Sequence, residues 1–483
     1  MDSEEKYRRT HPYSLIRHIK IYAILLVISL LQQFFVRPQG VIEILGSLGI
    51  NALYVLIVLA YFITEYLNHT YKLSGTGIDI YEGILIKRSY TIPFDKIRTV
   101  VLYRNAFSDI FGAVRISADT PAGFRKKYDF SAYFSRKKAA SVRSLIEGDL
   151  PLLYSFRSRI ICVILMSAFW ANPVTGIIFI VPVIQNIGMI VGNETAQRII
   201  RGSIDYQWIV MTNWISPAAA LVASVILLCW MISMFTVFLR FVRFRSMRIG
   251  DRLLISKGFI TRSEIYTKIS GISSVSIDQS LFMKLLRLKS CSVSVIGSGK
   301  IKGDRSLLLS ADNYDCIQNG MTHATGIPNE EKIVLRRAKR SLFSYVYFPL
   351  IVIGGDIALI FLSKLMSLFK SSALLLLYIF LFLSLWWLMF RIFAYFHSRI
   401  SLNDKCLIIC TFNKLTLKKH YIPFEMIQQA EITRTPFQRR SGKCSVKVRV
   451  YFEKKMIIKV KQLPYDAAAD LLRQMGIRVI EKL

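Results

Sequence analysis

Three stretches of eighteen residues superimpose without a gap: Gly83–Val100 reads GILIKRSYTIPFDKIRTV, Gly258–Val275 reads GFITRSEIYTKISGISSV, and Asn413–Ala430 reads NKLTLKKHYIPFEMIQQA. The aligned isoleucines are Ile97, Ile272 and Ile427, and two copies share Ile-Pro-Phe-acid-x-Ile, as Ile92–Ile97 and Ile422–Ile427. Self-similarity at long spacing marks a repeated folding unit. Fourteen residues before the aligned Ile stand Gly83, Gly258 and Asn413, types that tolerate positive φ. Each lies between two apolar runs, as in YEGILI, SKGFIT and TFNKLT, which predicts a tight hairpin turn. Ten residues after the Ile come Phe107, Phe282 and Phe437, whose bulk suits them to closing one end of a small core.

Outward from these stretches each copy continues into an alternating strand. In the third, Cys444, Val446, Val448, Val450 and Phe452 alternate with Ser445, Lys447, Arg449 and Tyr451, so one face is buried and the other wet. Each copy then ends in a short amphipathic helix, with Gly148, Gly320 and Gly476 expected as its C-cap. In the third helix Asp466 is expected to cap the start, and Ala468, Leu471, Leu472 and Met475 form the inward stripe.

Between the copies lie long apolar blocks. Of the 483 residues, 53% are hydrophobic, and several blocks reach the roughly 20 residues that cross a bilayer. Six spans are predicted, near 21–36, 48–68, 160–182, 215–239, 344–362 and 373–393, and they fall in three pairs. The first is followed by Arg37-Pro38 without a small-residue cleavage site, and reads as a retained anchor. The stretch 160–192 exceeds one crossing and is broken by Asn172-Pro173 and Pro182; one kinked span is preferred over two short crossings, since both flanks of this pair are basic. Lys and Arg collect on the cytoplasmic side of membrane helices, and 59 of the 64 lie in the two ends and the polar regions between pairs. Both termini and all three polar regions are therefore expected in the cytoplasm.

A strand-rich unit that opens with a hairpin and ends in one helix has the outline of a pleckstrin-homology (PH) domain. At the aligned segments the chain resembles the bacterial PH-domain membrane proteins of the YdbT type, through the hairpin Gly, the IP-x-x-x-I pattern and the bulky apolar residue that follows. The second copy departs at Thr267-Lys268, and the third has Asn413 for Gly. The resemblance implies membrane α-helical hairpins plus α+β, with three PH-like split β-barrels each closed by a C-terminal helix. It also implies a multi-pass plasma-membrane protein working with a smaller PH-domain companion. The layout is then a tail and hairpin over 1–70, modules over 71–150, 242–325 and 396–483, and further hairpins over 151–241 and 340–395.

A catalytic constellation is not visible. The six His show no HExxH or i, i+4 pairing, and no GxSxG, acidic cluster or Walker sequence appears. Gly297-Ser298-Gly299-Lys300 lacks the Ser or Thr of a phosphate loop and reads as a turn. The seven Cys lack metal-ligand spacing, and Cys406 and Cys410 read as core thiols. The expectation is a non-enzyme without cofactor or metal.

The net charge of +33 invites a nucleic-acid reading. Basic modules tethered at a bilayer are better placed to meet anionic headgroups, so membrane lipid is the expected partner and nucleic acid is not. Contact candidates are Lys87 and Arg88, then Arg243, Arg245 and Arg248, then Lys418 and Lys419. Their plainer reading is positive-inside flanking. Asp356, inside FPLIVIGGDIALIFL, is either a functional intramembrane carboxylate or a structural one, with Gly354-Gly355 admitting a close helix. Glu65 reads as interfacial. The function expected is a membrane-anchored scaffold for protein or anionic-lipid interaction, in envelope maintenance or resistance to membrane-active agents. The alternative is a transporter or lipid-handling protein using Asp356, and a membrane enzyme is the third class.

Overall fold

A computed structural model describes residues 7–15, 56–57, 59–74, 76–84, 86–121, 128–148, 150–171, 217–295, 306–338, 341–365, 371–413, 415–451 and 456–476. The repeat is visible in the order of elements. The first copy has β1 (Arg8–Arg9), β2 (Thr70–Leu73), β3 (Gly77–Glu82) and β4 (Arg88–Pro93), then β5 (Thr99–Arg104), α1 (Ala106–Ile110), β6 (Ala113–Asp119), β7 (Phe130–Ser135) and α2 (Arg136–Glu147).

The second copy has β8 (Leu152–Arg157), α3 (Ile160–Trp170), α4 (Pro217–Phe241), β9 (Arg245–Ile249), β10 (Arg252–Lys257) and β11 (Arg262–Lys268). It continues with β12 (Ile272–Ser280), α5 (Leu281–Leu285), β13 (Leu288–Val295), β14 (Leu307–Asn313) and α6 (Tyr314–Thr325). The third has β15 (Ile333–Arg336), α7 (Leu342–Leu365), α8 (Ser371–His397), β16 (Arg399–Leu402), β17 (Cys406–Asn413) and β18 (Thr416–Pro423). It closes with β19 (Ile427–Thr433), α9 (Pro436–Arg440), β20 (Lys443–Val450), β21 (Met456–Pro464) and α10 (Tyr465–Gln474).

In the second and third copies one strand, β8 or β15, precedes the apolar helix pair, so the helices are inserted after the first strand of the unit. Among the described residues three helices are long and apolar enough to cross a membrane: Ala223–Phe241, Leu342–Ser363 and Leu377–His397. They match the fourth to sixth expected spans. Ile160–Trp170 is a shorter apolar helix at the start of the third. The first span, residues 48–55 of the second and the Asn172-Pro173 break lie outside the described residues.

The chain forms two compact units, residues 1–153, 247–271 and 295–305 in one, and 154–246, 272–294 and 306–483 in the other. In the first unit a four-stranded sheet ordered β1-β2-β3-β4 shares a core with the strands β5 to β7. Ile78, Ile80 and Ile92 from one sheet meet Leu102, Val114, Ile116 and Phe130 from the other, and α2 adds Ala139. In the second unit Ile400, Leu407, Ile409 and Ile422 meet Val446, Val448, Val450 and Val460 in the same way, with Ala468, Leu471 and Leu472 of α10 beneath them. These are two-layer sheet packings whose cores form because period-2 alternation gives each sheet one apolar face. The sheets stay open and do not close into the barrels expected from the sequence.

Sheets also run on from one copy into the next. In the first unit the order β7-β6-β5-β11-β10 joins β5 of the first copy to β11 of the second, antiparallel, from Thr99↔Thr267 to Arg104↔Arg262. In the second unit β14-β13-β12-β18-β17-β16-β15 joins β12 of the second copy to β18 of the third, from Val275↔Tyr421 to Ser280↔Thr416. Burial confirms that each join is part of a core: Tyr266 belongs to the first unit's apolar cluster, and Val275 and Tyr421 are wholly buried.

Local expectations met mixed outcomes. Gly83 and Gly258 take positive φ, +115° and +99°, as their turns require. In the third copy the left-handed residue is Leu415, not Asn413, which ends β17 paired with Thr416. The reason is loop length: β17 and β18 are joined by two residues, whereas four or five separate the strands in the other copies.

Gly148 and Gly476 stand just past their helices with positive φ, but Gly320 is inside α6 and the cap is Gly326. Gly320 is small for a packing reason, since a Cβ there would lie 2.5 Å from the Tyr154 hydroxyl and 2.9 Å from Leu309 Cδ1. Asp466 falls in the first turn of α10 rather than at the N-cap, which is Pro464; its charge faces the helix dipole instead of capping an amide. All seven cysteines are unpaired, with Cys406 buried in β17.

Candidate basic cleft

The aligned phenylalanines are not core residues. Phe107, Phe282 and Phe437 are 61%, 61% and 83% exposed on the short helices α1, α5 and α9. Each of these helices is set by a cap, with Asn105, Ser280 or Thr435 accepting from the amide three residues on, so the next turn is pinned and its apolar side chains point out. Phe282 stacks on Phe169 of the apolar helix α3, ring centroids 5.8 Å apart. Ile110 and Leu285, 77% and 82% exposed, extend the same apolar tips. Bulk suggested burial; the position at a helical corner between strands decides otherwise.

In the second unit, β21 alternates Ile458 and Val460 into the core with Lys459 and Lys461 outward. The alternation breaks at Gln462, which has φ +64°, where the β20–β21 register slips between the Cys444–Leu463 and Val446–Val460 pairs. A bulge of this kind re-aims side chains. Here the Gln462 amide donates to Ser344 Oγ at 2.7 Å, and the Gln462 carbonyl accepts from the Ala338 amide at 3.2 Å. The start of α7 is thereby tied to the end of β21.

The result is a cleft of about 260 Å³ lined by Ser344, Tyr345, Arg391, Lys459, Lys461 and Gln462, with Thr435, Gln438 and Ser445 behind them. Among the described residues no carboxylate lines it. Gln438 donates to Ser445 at 3.0 Å, which fixes the back wall. Arg337 stands beside it, stacked 4.2 Å above the Tyr345 ring, with Nε and Nη1 buried and without a hydrogen-bond partner among the described residues. Arg391 Nε is in the same condition. Burial, and then the like charges of Lys459, Arg391 and Arg337, push the Lys461 amine below its usual range. Burial likewise pushes the Arg337 guanidinium down. Uncompensated donors and mutually repelling cations favour an anion with several oxygens.

A larger cleft of about 540 Å³ in the first unit holds Arg104, Arg136 and Arg262. Two of the three are already answered, because Asp109, which also lines the cleft, pairs with Arg136 at 3.0 Å and with Arg104 at 4.0 Å, and Glu264 takes Arg104 at 3.9 Å. The smaller cleft is therefore the better anion site.

The residues singled out from sequence are dispersed. Lys87 and Arg88 are exposed at the start of β4, Arg243 and Arg245 are exposed around the entry to β9, and Arg248 donates to the Gly250 carbonyl. Lys418 pairs with Asp278 at 3.7 Å, and Lys419 with the partly buried Glu331 at 2.7 Å, so both hold the fold together. Glu331 also takes Arg399 at 3.1 Å. Asp356 accepts from Ser384 Oγ of α8 at 2.7 Å, tying α7 to α8. The Gly354-Gly355 pair admits no close helix among the described residues: nothing stands within 4 Å of a Cβ at either. Glu65 is exposed in the helix over 59–68, and Gly297–Lys300 lies outside the described residues. The cleft residues Lys459, Lys461 and Arg391, and Arg337 beside them, were not singled out. The one sequence signal for them is Lys-x-Lys on the wet face of an alternating strand.

Three stretches of the chain, 19–149, 195–323 and 350–476, match the family model of the bacterial PH domain. The chain belongs to the bacterial PH-domain family. The three matches coincide with the three copies of the internal repeat, and with the apolar helices they make this a membrane-associated protein built of bacterial PH modules. No curated protein matches the chain. The cleft lies in the third bacterial PH module, where its last strand meets the ends of its two apolar helices.

Proposed function

We propose that this protein is a non-enzymatic scaffold of the inner side of the plasma membrane, related to the YdbT type, whose bacterial PH modules hold anionic lipid headgroups. The observation that carries the reading is the basic cleft of Arg391, Lys459 and Lys461 at the ends of α7 and α8, lined by no carboxylate among the described residues. Both helices are long and apolar enough to cross a bilayer, so a cleft at their ends sits at headgroup height. Tyr345 and Tyr395, 5.9 Å apart at those ends, are of the type that favours the interface. The exposed Phe tips add an apolar foot of the kind that enters the headgroup boundary. Both termini and all three modules are cytoplasmic in this reading, which follows the sidedness of Lys and Arg.

A smaller companion with a single PH module fits the same scaffold role, in envelope maintenance or resistance to membrane-active agents, and nucleic acid has no part. The transporter alternative has weaker support, since the Asp356 carboxylate is engaged by Ser384.

The test is thermal unfolding of the detergent-purified full chain with added phosphatidylglycerol or phosphatidylcholine. A ligand that binds the folded state alone raises the midpoint. A rise with phosphatidylglycerol and none with phosphatidylcholine is expected; equal shifts refute headgroup recognition.

A further inference from the structure

The two joins between modules obey one rule. Counted from the aligned isoleucines, the residue three after Ile97 faces the residue six before Ile272, as Val100↔Tyr266. The residue three after Ile272 faces the residue six before Ile427, as Val275↔Tyr421. Two independent pairings with the same register are a property of the module and not of one pair of sequences. Each join also carries a cross-strand ion pair, Arg104 with Glu264 at 3.9 Å and Asp278 with Lys418 at 3.7 Å.

Three modules in a row use two such joins and leave one strand of each kind at a sheet edge. In the first module β4, the counterpart of β11 and β18, is the outer strand of the order β1-β2-β3-β4. In the third module β19, the counterpart of β5 and β12, is the outer strand of the order β19-β20-β21. Burial records the difference at the aligned position of β4: Tyr266 and Tyr421 are 3% and 0% exposed inside the joins, while their counterpart Thr91 is exposed.

We infer that β19 of one copy pairs antiparallel with β4 of a second copy, in the register of the internal joins, so that chains associate head to tail. Applying the rule sets Ala430 opposite Thr91, Ile432 opposite Ser89 and Thr433 opposite Arg88. Arg88 then lies diagonal to Glu431 on the same face, within reach of a long side chain. Lys and Arg on an edge strand often guard it against pairing, but β18 carries Lys418 and Lys419 and is paired along six positions. The occupant is a second copy because the chain itself supplies both halves of the join, one at each end. A heterologous contact of this kind repeats, giving a ring or a filament. This goes beyond the lipid reading and is tested apart from it.

The experiment mixes two tagged full-length chains in one membrane, one with Thr91→Cys and one with Ala430→Cys, each also carrying Cys316→Ser to remove the exposed native thiol. Directly opposed Cα atoms in an antiparallel pair stand about 4.5–5.5 Å apart, suited to a disulfide. A crosslinked pair bearing both tags is expected, at least fivefold more abundant than with Ser89→Cys in place of Thr91→Cys. Arg88→Glu should cut the yield severalfold, and Arg88→Glu with Glu431→Lys should restore it. No crosslink in the mixture, equal yields in both registers, or a bridge formed only within a chain bearing both cysteines overturns the inference. None of these outcomes bears on the lipid shift.

Discussion

Replacing Lys461 by Met separates a binding cleft from an incidental cluster of charge. Lys461 is an exposed residue of β21 whose amine is held below the usual range, first by partial desolvation and then by the charges of Lys459, Arg391 and Arg337. Met keeps the unbranched stem and removes the repulsion. The cleft is open to water, so the gain is screened; a stabilisation of some tenths of a kcal/mol, about 1 °C in unfolding midpoint, is expected. Binding should change in the opposite sense. A basic residue near an anionic surface contributes roughly 1 kcal/mol, so affinity for phosphatidylglycerol falls about fivefold.

The wild-type protein has a pH signature as well. An anion in the cleft favours protonated Lys461, so the lipid shift is full where Lys461 is charged and declines as pH rises through the lowered titration of the free protein. Lys461→Met should lose that alkaline decline. The assay is the unfolding midpoint against lipid concentration and pH for both proteins. A variant that is less stable without lipid and keeps the full phosphatidylglycerol shift would refute the assignment.

Two further outcomes follow from single residues. His420 is buried at the join between β12 and β18, with Nδ1 unpartnered among the described residues, and burial together with Lys418 holds its imidazole down to about 4. The fold therefore favours neutral His420: its contribution is complete above the unfolded value near 6.5 and is lost as pH falls from there to about 4, in all about 3 kcal/mol. Unfolding midpoints from pH 7 to 4 should drop less for His420→Leu than for the wild type, and equal drops would count against this. Phe437, 83% exposed on α9, should place a probe in the headgroup boundary. Against the baseline of the six native Trp, Phe437→Trp is expected to add fluorescence that brominated lipid quenches in reconstituted vesicles, and an added signal that stays unquenched would remove the apolar foot.

What depends on neighbours along the chain was legible from the residues alone. Alternation along β20 set which face is buried, except at Ser445, which was read as wet and is 4% exposed beneath Gln438; apolar length set the helices α4, α7 and α8, and a positive φ at Gly83 and Gly258 followed from the turn each must make. Repetition of those local signals was enough to recognise three PH modules. Where the same type of residue serves two purposes, local reading failed. Phe437 has the bulk of a core residue and stands in solvent, and Gly320 has the look of a cap and is a spacer beneath Tyr154.

Which edges and ends meet is settled by packing across the fold. Alternation is symmetric about a strand, so it names a buried face and is silent on whether β11 pairs with its own module or with β5 of the one before. The cleft depends on a bulge at Gln462 that brings β21 to α7, joining Lys461 to Arg391 across seventy residues of chain. Strand pairing and the meeting of distant cations are long-range choices made by packing, and no window of the sequence contains both partners.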